Sequence, residues 1–577
     1  MNNKYTQLII GAFVLITLFS CEKDFLDRPS LDDITQNNFW KTPKDLELYT
    51  TQFYSSFPSW GSDSFSGGIY WTDANSDTEI AISPNNRLRG LNTISSGSGA
   101  YGFGSIRTVN IFFDNYTSVN ATEEQINQWL GEAYFFRAYF YFNLLRNFGG
   151  VPYFTTELKP NSEELQAPRD SRNVTASNII ADLDQAINRL PSGKINSGNR
   201  LSKEVAMLFK TRVALYEGTW EKYHAGTPFG VTGSDGSSFL TIAAQTAEKL
   251  IDNPGPWGID MGDDIELSYR KLFYSEDHSD SKEMMLWRKY DAGLGLYHNA
   301  NLRFNGGTGG YGITKRLADR YLCTDGNPIS VSPLYKGDKG LVNYTANRDP
   351  RITATIWSPG EIYREDRPEI TFKLSRIDGP DEDITPTGYQ IRKPASKNPE
   401  YHEVRSGEIA APIFRFAEVL LSFAEAKAEL ATISQSDLDK SINVLRARAG
   451  MPNLDMGNIA VDPDWLYPSL SPIINEVRRE RTVELAVEGY RFNDIARWAA
   501  ADELIVGQRP LGAYFVQSDY PNLVIGTNIY VNEEGYLDPY KNIIPNGYEF
   551  NINRDYLLPI PIGQIVLNTQ LEQNPGW

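Results

Sequence analysis

Residues 123–148 set the pattern for the chain. Leu130, Ala133, Tyr134, Phe136, Arg137, Phe140, Tyr141 and Leu144 recur there at three- and four-residue spacing, the period of an amphipathic helix. Gly149-Gly150 closes that helix, and Val151-Pro152 follows as an extended exit. The same period predicts helices over 175–190, with Ile179, Ile180, Leu183, Ile187 and Leu190 on one side, over 202–222 with Ser202 as cap, and over about 240–252. Near the amino terminus, Thr42-Pro43 reads as the cap and first turn of a helix carrying Leu46 to Phe57. The carboxy half adds a predicted helix from Pro412 to Leu430 and a shorter partner from Ser436 to Ala449, ended by Gly450. Helices following one another in this way predict tandem helix–turn–helix units of about 34 residues, although no clean repeat consensus is visible.

Two stretches break the pattern. Residues 59–100 hold many Gly, Ser, Asn and Asp around Trp60, Tyr70 and Trp71 and read as long loops. Residues 256–400 are poor in long helices and rich in Gly, Pro and aromatics. The expected fold is mainly α, a tetratricopeptide-like helical scaffold with a loop-rich, aromatic-rich subdomain. The expected division is a signal peptide at 1–20, a stalk at 21–40 and a helical scaffold with amino-terminal binding loops at 41–255. A loop-rich ligand-binding subdomain at 256–400 and a carboxy-terminal helical part at 401–577 complete it.

The beginning of the chain changes the picture. Only Lys4 is charged in residues 1–20, and Leu8 to Leu18 is almost continuously hydrophobic. That run is short for a membrane span and has the layout of an export signal. It ends in Leu18-Phe19-Ser20-Cys21, where cleavage before a cysteine is the mark of a bacterial lipoprotein. Cys21 is therefore expected to be acylated and to anchor the chain to a membrane. The plainer reading is a soluble secreted chain with a chance cysteine near its cleavage point. The other cysteine, Cys323, then has no intrachain partner and reads as a small buried hydrophobe, so stability must come from core burial. A net charge of -18 repels nucleic acid.

At this point the motifs resemble one family. Arg28-Pro29, Glu132 to Ala138, Phe148 to Pro152, Arg415 to Leu421 with Ala424-Glu425-Ala426, Asn443 to Gly450, and the charged run from Glu480 to Trp498 are similar, in this order, to the SusD/RagB family of outer-membrane nutrient-binding lipoproteins. The ending Leu558-Pro559-Ile560-Pro561 and Gln573 to Trp577 is similar too. The resemblance implies a lipid-anchored protein on the extracellular face of the outer membrane. It implies capture of oligosaccharide, or less often peptide, for a TonB-dependent (SusC-like) transporter, with no bond made or broken. The loops depart from the family, so ligand identity does not carry over.

Sugar recognition needs rings that stack on pyranose C–H faces beside amide and charged groups that fix hydroxyls. Trp71 with Asp73, Asn75 and Asp77 has that mixture, as do Arg89 and Asn92 after Arg87. Trp287, Tyr297, Tyr311 and Tyr389 are expected to supply rings from the other side of a cleft. Each such ring also fits a hydrophobic core. The net negative field favours a neutral or basic glycan, unless Arg87 and Arg89 act locally. The rival class, a surface glycoside hydrolase, needs two carboxylates facing each other across a sugar. Glu476, Glu480, Glu484 and Glu488 instead recur every four residues among arginines, as a helix-borne ion-pair network does. His224, His278, His298 and His402 are scattered and suggest no metal site, and no cofactor is expected. The acidic run Asp378, Asp381, Glu382 and Asp383 reads as a solvated turn in preference to a calcium loop.

Overall fold

The computed structural model describes residues 39–60, 67–97, 99–306, 309–379 and 384–577. Cys21 with the segment around it, and the acidic positions 381–383, lie outside the described residues. The chain is mainly helical, as the periodicity predicts. The principal helices are α1 (Pro43–Thr51), α2 (Gly104–Asn115), α3 (Glu123–Phe148), α4 (Arg172–Arg189), α5 (Lys203–Tyr223), α6 (Ser237–Asp252), α7 (Phe416–Glu429), α8 (Gln435–Asp439), α9 (Ile442–Arg448), α10 (Pro472–Glu484), α11 (Arg491–Arg497) and α12 (Ile562–Leu567). Two short antiparallel pairs accompany them. β1 (Glu79–Ala81) pairs with β3 (Tyr311–Ile313), and β2 (Met284–Arg288) with β4 (Ala411–Arg415).

Helix α3 is the axis of the scaffold, and its ends show why it forms where it does. The Thr122 backbone N–H donates to Gln125 Oε1 at 2.9 Å in a capping box, which satisfies a donor that the helix start leaves open. At the other end Gly149 takes φ 76°, a left-handed conformation that costs glycine no Cβ clash. Consecutive helices then pack in sequence, α3 on α4, α4 on α5, α5 on α6, and α6 on α7. Arg137 of α3 donates to both Asp182 carboxylate oxygens of α4 at 2.7 and 2.6 Å.

The largest hydrophobic core joins α1–α7 to the carboxy-terminal residues Tyr548, Phe550, Tyr556 and Leu557. A second core gathers the irregular 256–400 region around Trp60, Tyr70, Tyr269, Phe304, Trp357 and Tyr389. Burying a large apolar side chain of this kind stabilises by about 1.5–3 kcal/mol.

Two predicted helices are redrawn. The span expected to be helical from Pro412 onward begins as strand β4, and the helix starts only at Phe416. Phe414 and Arg415 pair with Leu286 and Met284, and this non-local pairing overrides the local apolar period. The expected helix over 436–449 is broken at Ser441, where φ and ψ are -133° and -92°, into α8 and α9.

The charged run from Glu476 to Arg497 is buried, and its partners come mostly from elsewhere in the chain. Glu484 accepts from Arg351, Arg415 and Arg448 at 2.6–3.0 Å, and Glu480 from Arg351 and Arg446 at 2.6 and 2.9 Å. Glu488, beyond the end of α10, accepts from Arg415 and Lys393. Glu476–Arg479 at 3.0 Å is a pair within the helix of the kind the spacing predicts. Their arginine partners outweigh burial and hold the Glu480 and Glu484 carboxyls below the usual range, which leaves those two unsuited to general acid catalysis.

Candidate functional site

The site grows from an irregular segment that the scaffold makes rigid. Residues Gly68–Asn75 form a 3-10 helix carrying Trp71, and β1 follows directly. In the register of the pair, Ala81 lies opposite Tyr311 and Glu79 opposite Ile313. On the far side of β3, Ile313 N–H donates to Tyr389 O at 3.3 Å and Gly310 N–H to Ile384 O at 3.0 Å. Tyr311 is thereby delivered onto Trp71. The two rings stack with centroids 4.4 Å apart and planes 7° from parallel, and Phe304 packs at a tilt behind the indole, 6.2 Å away.

Trp71 and Tyr311 are both half-buried. The Gly67 backbone also lies against the indole, so that a Cβ there would fall 2.4 Å from Cε2, and one at Gly309 2.8 Å from Cη2. The indole is thus packed by Tyr311, Gly67 and Gly309 and supports the phenol ring. Asn75, on the same 3-10 helix, is half-buried, and its Oδ1 has no hydrogen-bond partner among the described residues.

Asp73 and Asp77, expected to meet ligand hydroxyls, are buried and fasten this platform to the scaffold. Asp73 accepts the Gly489 and Arg491 backbone N–H groups at 3.1 and 3.0 Å. Asp77 accepts both arms of the Arg491 guanidinium at 2.6 and 2.9 Å. Burial pushes the Asp73 carboxyl up to about 7. Burial also opposes ionisation of Asp77, but the Arg491 charge outweighs it and holds that carboxyl below the usual range. Glu79, fully buried at the start of β1, has no cation paired with its carboxylate among the described residues. Burial, reinforced by the neighbouring Asp73 charge, pushes it well above the ordinary value.

Two predicted rings also belong to the core. Trp287 is buried in β2 with its Nε1 donating to Ser197 O at 3.0 Å, and Tyr389 is buried and stacked on Tyr344 at 5.4 Å. Aromatic residues in loop-like sequence still have a large apolar area to bury, and the second core claims them. Tyr297 is half-buried beside the Arg405 guanidinium, 6.0 Å from the ring centroid. Arg89 and Asn92 are half-buried on the 85–92 turn, which the Arg554 side chain ties to the carboxy-terminal segment through Gly90 O at 2.7 Å. Arg87 is spent there too, donating to Asp555 O and Tyr556 O at 2.8 and 2.9 Å. Of the predicted residues, the structure therefore brings together Trp71 and Tyr311, with Asn75 on the same element.

Sequence reasoning missed a polar patch on α3. Asn143 and Arg146 interrupt the apolar carboxy-terminal half of that helix at i, i+3 spacing, and both line a cavity of about 520 Å³ on the other side of the 68–75 segment. An asparagine–arginine pair inside a largely buried helix was the available signal.

The sequence model of the SusD family matches residues 274–577, and a model described as starch-binding associating with outer membrane matches residues 95–215. SusD-like protein P2 of Formosa agariphila is 25% identical, with 98% of each chain covered. SusD-like protein P38 of the same organism is 22% identical over 87% of this chain and 93% of its own. Among solved structures, a SusD-like carbohydrate binding protein from Bacteroides fragilis aligns with a TM-score of 0.71 at 22% identity, covering 92% of this chain and all of its own. A structure determined with xylogluco-oligosaccharide aligns with a TM-score of 0.59 at 17% identity, over 91% of this chain and 97% of its own.

Proposed function

The chain belongs to the SusD family, and from that premise we propose that it is an outer-membrane lipoprotein that captures oligosaccharide and hands it to a TonB-dependent transporter without chemistry of its own. Cys21 carries the anchor, and the body faces outward. The observation that carries the binding reading is the Trp71–Tyr311 stack. It is a half-exposed aromatic platform in irregular sequence, clamped to a rigid helical body through Asp73 and Asp77. Tyr311 meets the sugar face, Trp71 backs it, and Asn75 supplies an amide at the edge. Fixed rings lose little entropy on binding, which is what weak C–H stacking requires.

Delivery to a transporter is what the resemblance to the family implies, and the physics of a tethered binder supports it. A tethered binder raises local ligand concentration but moves nothing across a membrane, and a partner tethered to the same membrane meets it at high effective concentration. The relatives' names and the outer-membrane description of the matched family support this setting.

Calorimetry against a glycan panel tests the reading, repeated with Tyr311→Ala and Trp71→Ala on the best ligand. Loss of a central aromatic contact typically costs at least about 2 kcal/mol, roughly thirtyfold in affinity. Unchanged affinity in both folded variants would remove the platform from the site. New reducing ends generated on sustained incubation would favour the hydrolase reading.

A further inference from the structure

We propose that the cavity behind the aromatic platform binds an oxyanion on Arg146, and that the oxyanion is the carboxylate or sulfate of an acidic saccharide. The saccharide part of this inference rests on the glycan-capture reading; the anion site does not. The cavity, about 520 Å³, lies between α3, α5, the 68–75 segment and the Gly489–Tyr490 turn. That is within the usual size of a small-molecule pocket. Phe57, Tyr139, Asn143, Arg146, Arg212 and Tyr490 line it, and Ser56, Pro58 and Thr72 are exposed at its rim.

The charges around the cavity do not cancel. Three carboxylates line it, and each is held by cations. Glu418 accepts both arms of Arg212 at 2.6 and 2.5 Å. Asp494 is held by Arg481 and Arg497 at 2.8–3.0 Å. Glu488 is held by Arg415 and Lys393 at 2.7–2.8 Å. Arg146 is left over. Its Nη2 donates to Asn143 Oδ1 at 2.5 Å and its Nε is buried without a partner. No carboxylate lies within ion-pair reach of it among the described residues. The guanidinium sits over the Phe142 ring, 5.1 Å from the centroid. Burial lowers its pKa, and no neighbouring carboxylate counters that effect.

A half-buried guanidinium without a counter-charge keeps its desolvation cost uncompensated. It also offers a planar fork of donors matched to carboxylate and sulfate oxygens. An oxyanion entering past Thr72 would satisfy it, with the Asn143 amide within the same lining; the Tyr490 hydroxyl there is already engaged, donating to Glu418 at 3.1 Å and accepting from Arg212 at 2.9 Å. The net charge of -18 does not forbid this, because surface charges are screened beyond about 8 Å at physiological ionic strength, whereas Arg146 would act at contact distance. Thr72 follows Trp71 on one 3-10 helix, so a sugar on Tyr311 and an acidic group at Arg146 would be read from opposite sides of a single element.

Titration calorimetry at constant ionic strength tests the site, using sodium sulfate, sodium glucuronate, a uronate-containing oligosaccharide, a sulfated oligosaccharide and a neutral oligosaccharide. The full folded chain is compared with Arg146→Gln and Arg146→Lys, with circular dichroism confirming the fold of each. The expected result is binding of an anionic ligand that weakens about tenfold or more in Arg146→Gln and recovers in part in Arg146→Lys. Preference for the uronate or the sulfated oligosaccharide identifies which oxyanion the site takes. Failure of every anion to bind the folded wild type, or unchanged affinity in Arg146→Gln, overturns the site. Binding of free sulfate or glucuronate with no gain from an attached oligosaccharide overturns the saccharide part. If neutral glycans bind and anions do not, glycan capture stands and this inference falls. If anions bind and no glycan does, the anion site stands and glycan capture falls.

Discussion

Asp77→Asn severs the strap between the aromatic platform and the scaffold while preserving its shape. In the native chain Asp77 takes both arms of Arg491 at 2.6 and 2.9 Å, and both side chains are buried. The asparagine oxygen still accepts from Arg491, but the guanidinium loses its paired carboxylate and keeps neutral partners such as that oxygen and the Thr482 hydroxyl, 3.0 Å away. Removing one member of a buried pair costs about 3–5 kcal/mol, because the other charge stays desolvated and uncompensated. Arg491→Met should cost less, because Arg316, 3.8 Å from Asp77, still faces the orphaned carboxylate. The double variant should cost less than the sum of the two, with a coupling of about 1–3 kcal/mol. Because the chain has two large cores, a global melting temperature is a poor readout. Native-state hydrogen exchange reads the strap directly, through the Gly489 and Arg491 amides that donate to Asp73. Both amides should lose protection in Asp77→Asn. Unchanged protection, or strictly additive single and double variants, would refute the reasoning.

Glu79→Gln should be nearly neutral below about pH 4 and increasingly stabilising relative to wild type as pH rises. Glu79 is pushed well above its ordinary value by burial, so the unfolded chain gains from ionising it above about pH 4.3 while the folded chain does not. The difference should grow by about 1.4 kcal/mol per pH unit, and a flat difference between pH 5 and 8 by denaturant titration would disprove it. Asp77, Glu480 and Asp494 act in the opposite sense, held below their ordinary values despite burial by their arginine partners. Their stabilisation is complete above about pH 5 and is lost as pH falls through the depressed values, so acid unfolding below about pH 4 should be steep and its midpoint should rise in Asp77→Asn. Tyr311→Ala should weaken the best glycan about thirtyfold by calorimetry with far-ultraviolet circular dichroism unchanged. Cys21→Ala should leave the chain unprocessed or released from the membrane on fractionation, and lipid-linked protein after that change would contradict the anchor.

The helical scaffold was legible in the sequence because its signals are local. The period of α3, the Ser202 cap that accepts the Val205 N–H at 3.4 Å, and the left-handed Gly149 each depend on neighbours a turn away. The charged run at Glu476–Arg497 was also readable as structural, although its partners, Arg351, Arg415, Arg446 and Arg448, could not be named from spacing. Trp71 and Tyr311 were readable as separate candidates. Their stacking was decided by the pairing of β1 with β3, and no local pattern encodes a contact between such distant segments. Asp73, Asp77, Trp287 and Tyr389 show the limit most clearly. Polar, irregular sequence around Asp73, Asp77 and Tyr389 says nothing about whether other segments cover them, and Trp287 lies in strand β2, whose burial its pairing with β4 decides. Coverage is a tertiary quantity: Arg491 and the Gly489 turn close over the two aspartates, and the second core takes the two rings. Arg146 marks the same limit from the other side. The sequence supplies an arginine on an apolar helix, and only the folded arrangement of Glu418, Glu488 and Asp494, each already bound by other cations, leaves it without a counter-charge.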